Sequence, residues 1–217
     1  MEDRYTHFPP GFFNRLDDTD DTEFYGPDRL VTHIDDAAIA AVGALYAELR
    51  IEGQVLDLMS SWISHFESPP RELTVLGMNG RELEANEEAT HRVVHDLNAD
   101  PSLPFPDRSF DDAVCCVSVD YLIRPLEVFD EMARVLRPGG RFVCTFSNRC
   151  FPTKAIDGWL GTDDKGHAAI VGAYFELTPG FGEVEARLCT EPGQGNPLLA
   201  IWATRGSTTV SHPVGTL

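Results

Sequence analysis

The sequence predicts a doubly wound, mainly parallel α/β domain. Apolar strands alternate with helical segments over about 150 residues, the pattern of a sheet that carries helices on both faces. The strand at 112–119 is nearly all apolar, as expected for a strand covered on both faces. Two further strands near the end of the chain lie close enough together to form a hairpin. We expect that hairpin to add an antiparallel edge to the sheet.

An N-terminal stretch of 36 residues does not fit this alternation. It holds ten acidic and three basic residues with aromatic side chains between them, and Pro9, Pro10 and Pro27 prevent a long helix. Pure disorder would not need so many aromatic residues. We therefore expect residues 1–36 to form an irregular arm that packs over the domain, either as a cover for the core or as a lid over a ligand.

The domain itself is predicted over residues 37–205. Asp35 or Asp36 can cap its first helix, because a short acidic side chain accepts the free amide protons of the first turn. Pro125 suits the first turn of a later helix, and residues 138–140 turn into the fifth strand. The predicted strands are 54–58, 73–78, 92–96, 112–119, 141–147, 184–189 and 198–204, and the predicted helices are 37–49, 82–90, 125–136 and 165–175. Residues 206–217 are expected to form a flexible tail.

Composition excludes several classes of partner. The chain has 35 acidic and 17 basic residues and a net charge of -18, which would repel a phosphate backbone and disfavours nucleic acid. The acidic surface is compatible with a salt-rich cytoplasm and equally with ordinary solvation. No apolar run reaches the roughly 18 residues of a membrane helix, and the start shows no secretory signal. We expect a cytoplasmic monomer or homodimer with no membrane partner.

The cysteines and histidines predict neither disulfides nor a metal site. The five cysteines have no Cys-x-x-Cys spacing, and three of them lie in strand-like runs, which is typical of buried thiols in a reducing compartment. The seven histidines are scattered without ligand spacing. We therefore expect no structural metal.

Several separate strings of residues carry a family resemblance. The segment 103–111, the strand after it and the segment 131–142 resemble, in order and spacing, the class I S-adenosylmethionine-dependent methyltransferases of the type 11 kind. The resemblance covers roughly residues 50–205. It implies a seven-stranded sheet of order 3-2-1-4-5-7-6, S-adenosylmethionine as cofactor, and methyl transfer as the reaction.

The first cofactor loop departs from the family pattern. Where the family has acidic-x-Gly-x-Gly-x-Gly, this sequence has Asp57, Met59, Ser61 and Ile63, so only the acid is kept. Glycine there tolerates positive φ, whereas a residue with a Cβ pays about 1 to 2 kcal/mol for a left-handed conformation. We expect the loop to follow a different path, with Ser60 and Ser61 offering hydroxyls and amides to the methionine carboxylate.

The resemblance also assigns the other cofactor contacts. Asn79 stands where the family has an acid that takes the ribose hydroxyls, and Asp96 matches the acid that accepts from the adenine amino group. For Asp96 a capping or turn role is the alternative, and Asp100 is a competing choice for the adenine contact because the loop up to Leu103 is longer than expected for the family. Met78 could face adenine or simply lie in the core. The cofactor-binding residues implied are Asp57, Met59, Ser60, Ser61, Met78, Asn79, Asp96, Leu97, Asn98 and Ser118.

Two loops at the same sheet edge would face the transferable methyl group. Asp120 could be a general base and Tyr121 a donor or wall, because methyl transfer needs an aligned nucleophile and at most one proton acceptor. Asp120 could equally cap the next helix. Asn148 and Arg149 are costly groups at an interior edge, which favours a ligand or ion-pair role. These four residues are the catalytic candidates.

The sequence thus predicts a methyltransferase that acts on a small molecule. A non-catalytic binding or regulatory protein with the same fold is the alternative, because the glycines and the ribose acid are missing. A nicotinamide-dependent oxidoreductase is a weaker alternative, since the Gly-x-Gly-x-x-Gly fingerprint is absent after the first strand.

Overall fold

A computed structural model of the protein describes residues 3–191 and 195–206. The arm contains a 3₁₀ helix at Arg4–His7 and one short α-helix, and a second 3₁₀ helix at Val119–Tyr121 follows the fourth strand. In chain order the remaining elements are α1 (Asp21–Tyr25), α2 (Asp36–Glu48), β1 (Gln54–Leu58), β2 (Glu72–Gly77), α3 (Gly80–Ala85), β3 (His91–Val94), β4 (Asp112–Cys116), α4 (Pro125–Val135), β5 (Arg141–Ser147), α5 (Asp157–Leu160), α6 (Asp164–Glu176), β6 (Phe181–Leu188) and β7 (Leu198–Arg205).

The seven strands form one sheet in the order β3-β2-β1-β4-β5-β7-β6. Strands β1 to β5 pair in parallel, whereas β7 runs antiparallel to both β5 and β6. The predicted fold class, strand order and antiparallel hairpin are therefore confirmed. Because the parallel strands end at one edge, the loops that follow them meet there.

Several element boundaries differ from the prediction for local reasons. Strand β4 stops at Cys116 rather than at residue 119, because Val117 has a left-handed φ of 52°. The helix predicted at 82–90 spans only Gly80–Ala85; Asn86 follows it in an extended conformation. The turn predicted between β6 and β7 lies partly outside the described residues, as does the predicted tail from residue 207 onward.

Capping residues begin the helices as the sequence indicates. The Asp35 side chain accepts a hydrogen bond from the Ala38 amide at the start of α2, and Pro125 occupies the first turn of α4. Asp163 caps α6 in the same way through the Gly166 amide. Each such cap satisfies an amide that has no partner within the helix and is worth about 1 kcal/mol.

The core lies on both faces of the sheet. Along β4, Ala113 and Cys115 pack into the cluster formed with α4 and α6, while Val114 packs into the cluster formed with α2. Strand β4 is therefore covered on both sides, as its apolar sequence predicts. Two of the five cysteines, Cys115 and Cys144, are fully buried, and the other three are half-buried; all five are free thiols.

The arm packs against the domain along its whole described length. Its first part packs aromatic rings on α6: the rings of Phe8 and Phe13 lie 5.9 and 6.3 Å from that of Tyr174. Arg4 donates a hydrogen bond to Asp130 at 2.9 Å. The Phe12 carbonyl accepts from the Gly158 amide at 2.9 Å. Within residues 3–191 and 195–206, no helix has the length and apolar character needed to cross a membrane.

Candidate functional site

A cavity of about 220 Å³ opens at the carboxyl-terminal edge of the parallel strands. The loops after β1 to β5 line it, and the arm forms its outer wall. The predicted residues that line it are Asp57, Met59, Ser60, Ser61, Met78, Asn79, Asp96, Leu97, Asn98, Ser118, Tyr121 and Arg149. Asp120 and Asn148 are not among the lining residues. The topology thus brings together all ten predicted cofactor-binding residues and two of the four catalytic candidates.

The loop after β1 keeps one feature of a glycine-rich loop without the glycine. Met59 has a φ of 56°, so a residue with a Cβ adopts the left-handed conformation at a cost of about 1 to 2 kcal/mol. The different path expected for the loop as a whole stays a prediction. The next amide, that of Ser60, donates to the Leu76 carbonyl at 2.8 Å, which ties the loop to the end of β2.

The two serine hydroxyls of this loop bind acidic side chains. Ser60 donates to Asp57 at 2.6 Å and Ser61 donates to Glu82 at 2.5 Å. The hydroxyl protons are therefore engaged within the protein, which leaves the oxygens and the loop backbone as the groups available to a ligand. These two side-chain hydrogen bonds hold the loop in place.

Burial changes the chemistry of the acid at the end of β1. Asp57 is 2% exposed, and this burial raises the pKa of its carboxyl to about 7, while hydrogen bonds from Ser60 and Ser64 oppose the rise. A carboxyl in this state is partly protonated near neutral pH. A cation placed beside it would favour the charged form and lower the pKa again.

Both ends of the Asn79 side chain form hydrogen bonds within the protein. Its oxygen caps α3 by accepting from the Arg81 and Glu82 amides at 3.0 and 3.2 Å. Its amide group donates to the arm, to the Gly26 carbonyl at 3.1 Å and to Asp28 at 3.0 Å. The predicted ribose contact is therefore not supported, because both ends of the side chain hold protein groups.

Glu82 places a carboxylate near the position where Asn79 lacks one. It is 9% exposed, lines the cavity and accepts from the Arg29 amide at 2.6 Å as well as from Ser61. Sequence reasoning missed this residue because it reads as an ordinary acidic residue of a polar helix. Its position in the first turn of that helix, three residues after Asn79, is the only sequence signal.

The acid of the loop after β3 forms a turn contact, and its predicted adenine contact stays a prediction. Asp96 lines the cavity, and one carboxylate oxygen accepts from the Asn98 and Ala99 amides at 2.9 and 3.2 Å, which is a turn contact. Asn98 donates to Asp21 and to the Tyr121 carbonyl, and its oxygen accepts from the Ile123 amide. Asn98 therefore fastens three segments together, so the predicted assisting contact to the cofactor is not supported.

Asp120 is buried and does not line the cavity. It is 2% exposed, and one carboxylate oxygen has no hydrogen-bond partner among the described residues. Burial raises the pKa of this carboxyl to about 8. The neighbouring Tyr121 does line the cavity, and its hydroxyl accepts from the Phe151 amide at 2.9 Å. The role of Asp120 as a general base remains a prediction.

A buried charge cluster fastens the arm beside the cavity, and sequence reasoning missed it. Lys154 is fully buried, with its ammonium 3.1 Å from Asp21 and 3.3 Å from Asp17, both on the arm. Arg15 pairs with the same Asp21 at 2.8 Å. Lysine in an otherwise apolar segment, in a chain with only two lysines, is the signal that could have identified this cluster.

Part of the chain, and its fold, are similar to known proteins. Residues 59–144 match a family described as a methyltransferase domain. The structure of an S-adenosylmethionine-dependent methyltransferase from Aquifex aeolicus superposes with a TM-score of 0.52 at 15% identity, over 79% of this chain and 94% of that one. The cyclase SpnF superposes with a TM-score of 0.56 at 13% identity, over 85% and 91%.

A curated relative matches a shorter segment. Malonyl-acyl-carrier-protein O-methyltransferase from Marinomonas sp. (strain MWYL1) is 32% identical over 78 residues, which is 36% of this chain. The matched segment spans only 28% of that relative.

The fold, the cavity at its sheet edge and the family match define a methyltransferase-type protein. Residues 59–144 match the methyltransferase-domain family, and the sheet has the strand order expected for class I S-adenosylmethionine-dependent methyltransferases. The cofactor that this match implies is S-adenosylmethionine.

The residues of the cavity fit such a cofactor. Asp57, Glu82 and Asp96 bring carboxyl groups that suit the amino and hydroxyl donors and the positive charge of the cofactor, and Met78 and Leu97 bring apolar surface that suits a nucleobase. No group of three or more metal-ligating side chains is found in the described part of the chain.

Gly77 is required where β2 passes the cofactor loop. A Cβ at this position would lie 2.2 Å from the Ser60 carbonyl oxygen, so Gly77→Ala should push the loop away. We expect the free energy of unfolding to fall by about 2 kcal/mol and the affinity for S-adenosylhomocysteine to fall at least tenfold. Urea unfolding and isothermal titration calorimetry measure the two effects.

Gly172→Ala is the matched control. A Cβ there meets no atom within 4 Å, and the position lies inside α6, where alanine is favoured over glycine by up to about 1 kcal/mol. We expect unchanged or higher stability and unchanged binding. Equal effects of the two substitutions would contradict the steric role of Gly77.

Proposed function

We propose that this protein is an S-adenosylmethionine-dependent methyltransferase that acts on a small molecule. The observation that carries the proposal is the cavity at the carboxyl edge of the sheet, which combines Asp57, Glu82 and Asp96 with apolar surface from Met78 and Leu97. In an α/β sheet of this kind ligands bind at that edge. The proposal includes a cytoplasmic location and a monomeric or homodimeric state.

Some side chains of the cavity would bind the cofactor, and others would position the acceptor molecule. When bound, the cofactor supplies an electrophilic methyl group on a positively charged sulfur. The carboxylates favour the cation, and the arm, through Tyr25, Arg29 and His33, keeps water from the reacting groups. Tyr121 and Arg149 then face the acceptor, and Asp120 stands next to Tyr121 in the chain as a candidate proton acceptor.

The arm restricts the size of the acceptor. Tyr25, Arg29 and His33 already occupy the outer wall of a cavity of about 220 Å³, which favours a small molecule over a polymer. The net charge of -18 also disfavours nucleic acid.

Binding and transfer can be tested separately. Isothermal titration with S-adenosylhomocysteine should give saturable heat, and a thermal shift should accompany it. Incubation of the protein with methyl-labelled S-adenosylmethionine and a fractionated metabolite extract should then label a low-molecular-weight product. Absence of heat and of a thermal shift at millimolar ligand would contradict the proposal.

A non-catalytic binding or regulatory protein is the second candidate. It is favoured by Asn79, whose side chain is committed to α3 and to the arm, and by the absence of the family glycines. This candidate predicts binding of S-adenosylhomocysteine without a labelled product in any extract fraction. Detection of one labelled metabolite would exclude it.

A further inference from the structure

Two arginines without a carboxylate partner among the described residues line the cavity, one from the arm and one from the loop after β5. Ten of the seventeen basic side chains pair with carboxylates, as expected where acids outnumber bases twofold. Arg29 and Arg149 line the cavity, and neither forms an ion pair within residues 3–191 and 195–206. Both guanidinium groups therefore keep their positive charge available to a ligand in this cavity.

Arg29 is held in place by groups that do not neutralise it. Its guanidinium lies 4.6 Å from the centroid of the Phe24 ring and 5.7 Å from that of Phe151. It donates to the Phe24 carbonyl at 2.7 Å and to the Pro27 carbonyl at 3.3 Å. A guanidinium has five N–H donors, so these contacts orient the group and leave donors for a ligand.

Arg149 lies two positions before Phe151 in the chain and lines the same cavity. Its side chain is exposed and makes no hydrogen bond within the described residues, while its amide donates to the Ser147 hydroxyl at 3.0 Å. A free arginine fixed at its backbone is suited to closing onto an anion, and a planar guanidinium matches a carboxylate with two parallel hydrogen bonds.

His33 lies beside both arginines. Its ring centroid is 5.1 Å from that of Phe151, and burial, with help from the charges of Arg29 and Arg149, lowers its pKa although Glu82 opposes the change. His33 is therefore neutral near pH 7 and can accept or donate a hydrogen bond. The nearby Glu82 is already bound by the Arg29 amide and the Ser61 hydroxyl.

We propose that Arg29 and Arg149, beside Phe151 and His33, form a subsite for a carboxylate carried by the acceptor molecule. The inference rests on the proposed function, because it names the class of substrate for the same cavity. Two guanidinium groups that line one cavity, one of them 5.7 Å from the Phe151 ring centroid, select an acceptor with a negatively charged carboxylate next to a flat or apolar part.

The test compares two probes that differ in charge and little in shape. Benzoate and benzamide are titrated into the protein saturated with S-adenosylhomocysteine, by calorimetry and by the NMR signal of His33. We expect benzoate to bind at least tenfold more tightly than benzamide and to raise the pKa of His33. Inorganic phosphate serves as a third probe and is expected to bind more weakly than benzoate.

Arg149→Gln tests the residue itself. We expect benzoate affinity to fall at least tenfold and Arg149→Lys to restore part of it, while S-adenosylhomocysteine affinity stays within twofold. Lys165→Gln is the control, because it removes an exposed positive charge that does not line the cavity. It should change neither the benzoate affinity nor the S-adenosylhomocysteine affinity.

Three results would overturn the subsite: equal binding of benzoate and benzamide, tighter binding of phosphate, or unchanged benzoate binding in Arg149→Gln. Failure of the proposed function would appear earlier, as the absence of S-adenosylhomocysteine binding.

Discussion

Replacing Lys154 with methionine should destabilise the protein by about 3 kcal/mol, because removal of one partner leaves the remaining buried charges uncompensated. The Lys154 ammonium is fully buried against Asp21 and Asp17 and also donates to the Thr19 carbonyl at 2.9 Å. Arg15 would still pair with Asp21, which limits the loss. Urea unfolding of the variant measures the change in the free energy of unfolding.

The same variant should loosen the arm and weaken cofactor binding. Trp62 donates from its indole nitrogen to the Val31 carbonyl of the arm at 3.1 Å, so its fluorescence should report release of the arm. We expect S-adenosylhomocysteine affinity to fall at least tenfold if the arm is a lid. Lower stability with unchanged affinity would show instead that the arm only covers the core.

Lys165→Met is the control for Lys154→Met, because Lys165 is the other lysine of the chain and is exposed. It should leave the free energy of unfolding within about 0.5 kcal/mol of the original value. A loss equal to that of Lys154→Met would mean that general charge, and not the buried cluster, accounts for the effect.

The second large effect is the contribution of Asp120 to the pH dependence of the free energy of unfolding. Burial raises the pKa of its carboxyl to about 8 in the folded protein, whereas an unfolded chain has a value of about 3.9. Between these values the folded state binds a proton that the unfolded state has lost. The stability associated with this proton is complete below pH ~4 and is lost as the pH rises through ~8.

Asp120→Asn removes this dependence, because an amide does not titrate. The stability of the variant relative to the original protein should therefore rise by at least about 2 kcal/mol between pH 5 and pH 8.5, since each pKa unit is worth about 1.4 kcal/mol. Any effect of the amide on stability that does not depend on pH is the same at both pH values and cancels in this comparison. Urea unfolding at the two pH values is the measurement.

Asp18→Asn is the control for removing one carboxylate, because Asp18 is exposed on the arm. Asp57, whose pKa burial raises to about 7, contributes the same slope in all three proteins and cancels. A relative stability of Asp120→Asn that does not change with pH would show that Asp120 is charged in the folded protein.

Local features of the sequence were sufficient for most of the fold. The cap at Asp35, the proline at the start of α4 and the apolar run of β4 each act over a few residues, and each is found as predicted. Boundaries were less accurate where one residue adopts an uncommon conformation, as Val117 does at the end of β4.

The candidate site was only partly predictable. The cavity collects all ten predicted cofactor residues because parallel strands end at one edge. The roles of Asn79 and Asn98 were not predictable, since their side chains bind arm residues that are 53 and 77 positions away. A side-chain amide binds whichever partner the fold brings near, and sequence spacing does not record that partner.

The sequence by itself determined the alternation of strands and helices and the excess of acidic residues. Through the segments that resemble a known family, it also determined the strand order and the class of cofactor. The tertiary structure decided how the glycine-less loop is held, which acid faces the cavity and what fastens the arm. Met59 keeps the left-handed turn because Ser60 is tied to Leu76 and Asp57. Lys154 reaches Thr19 across 135 residues. Such contacts depend on burial and on distances in space, which are properties of the folded chain.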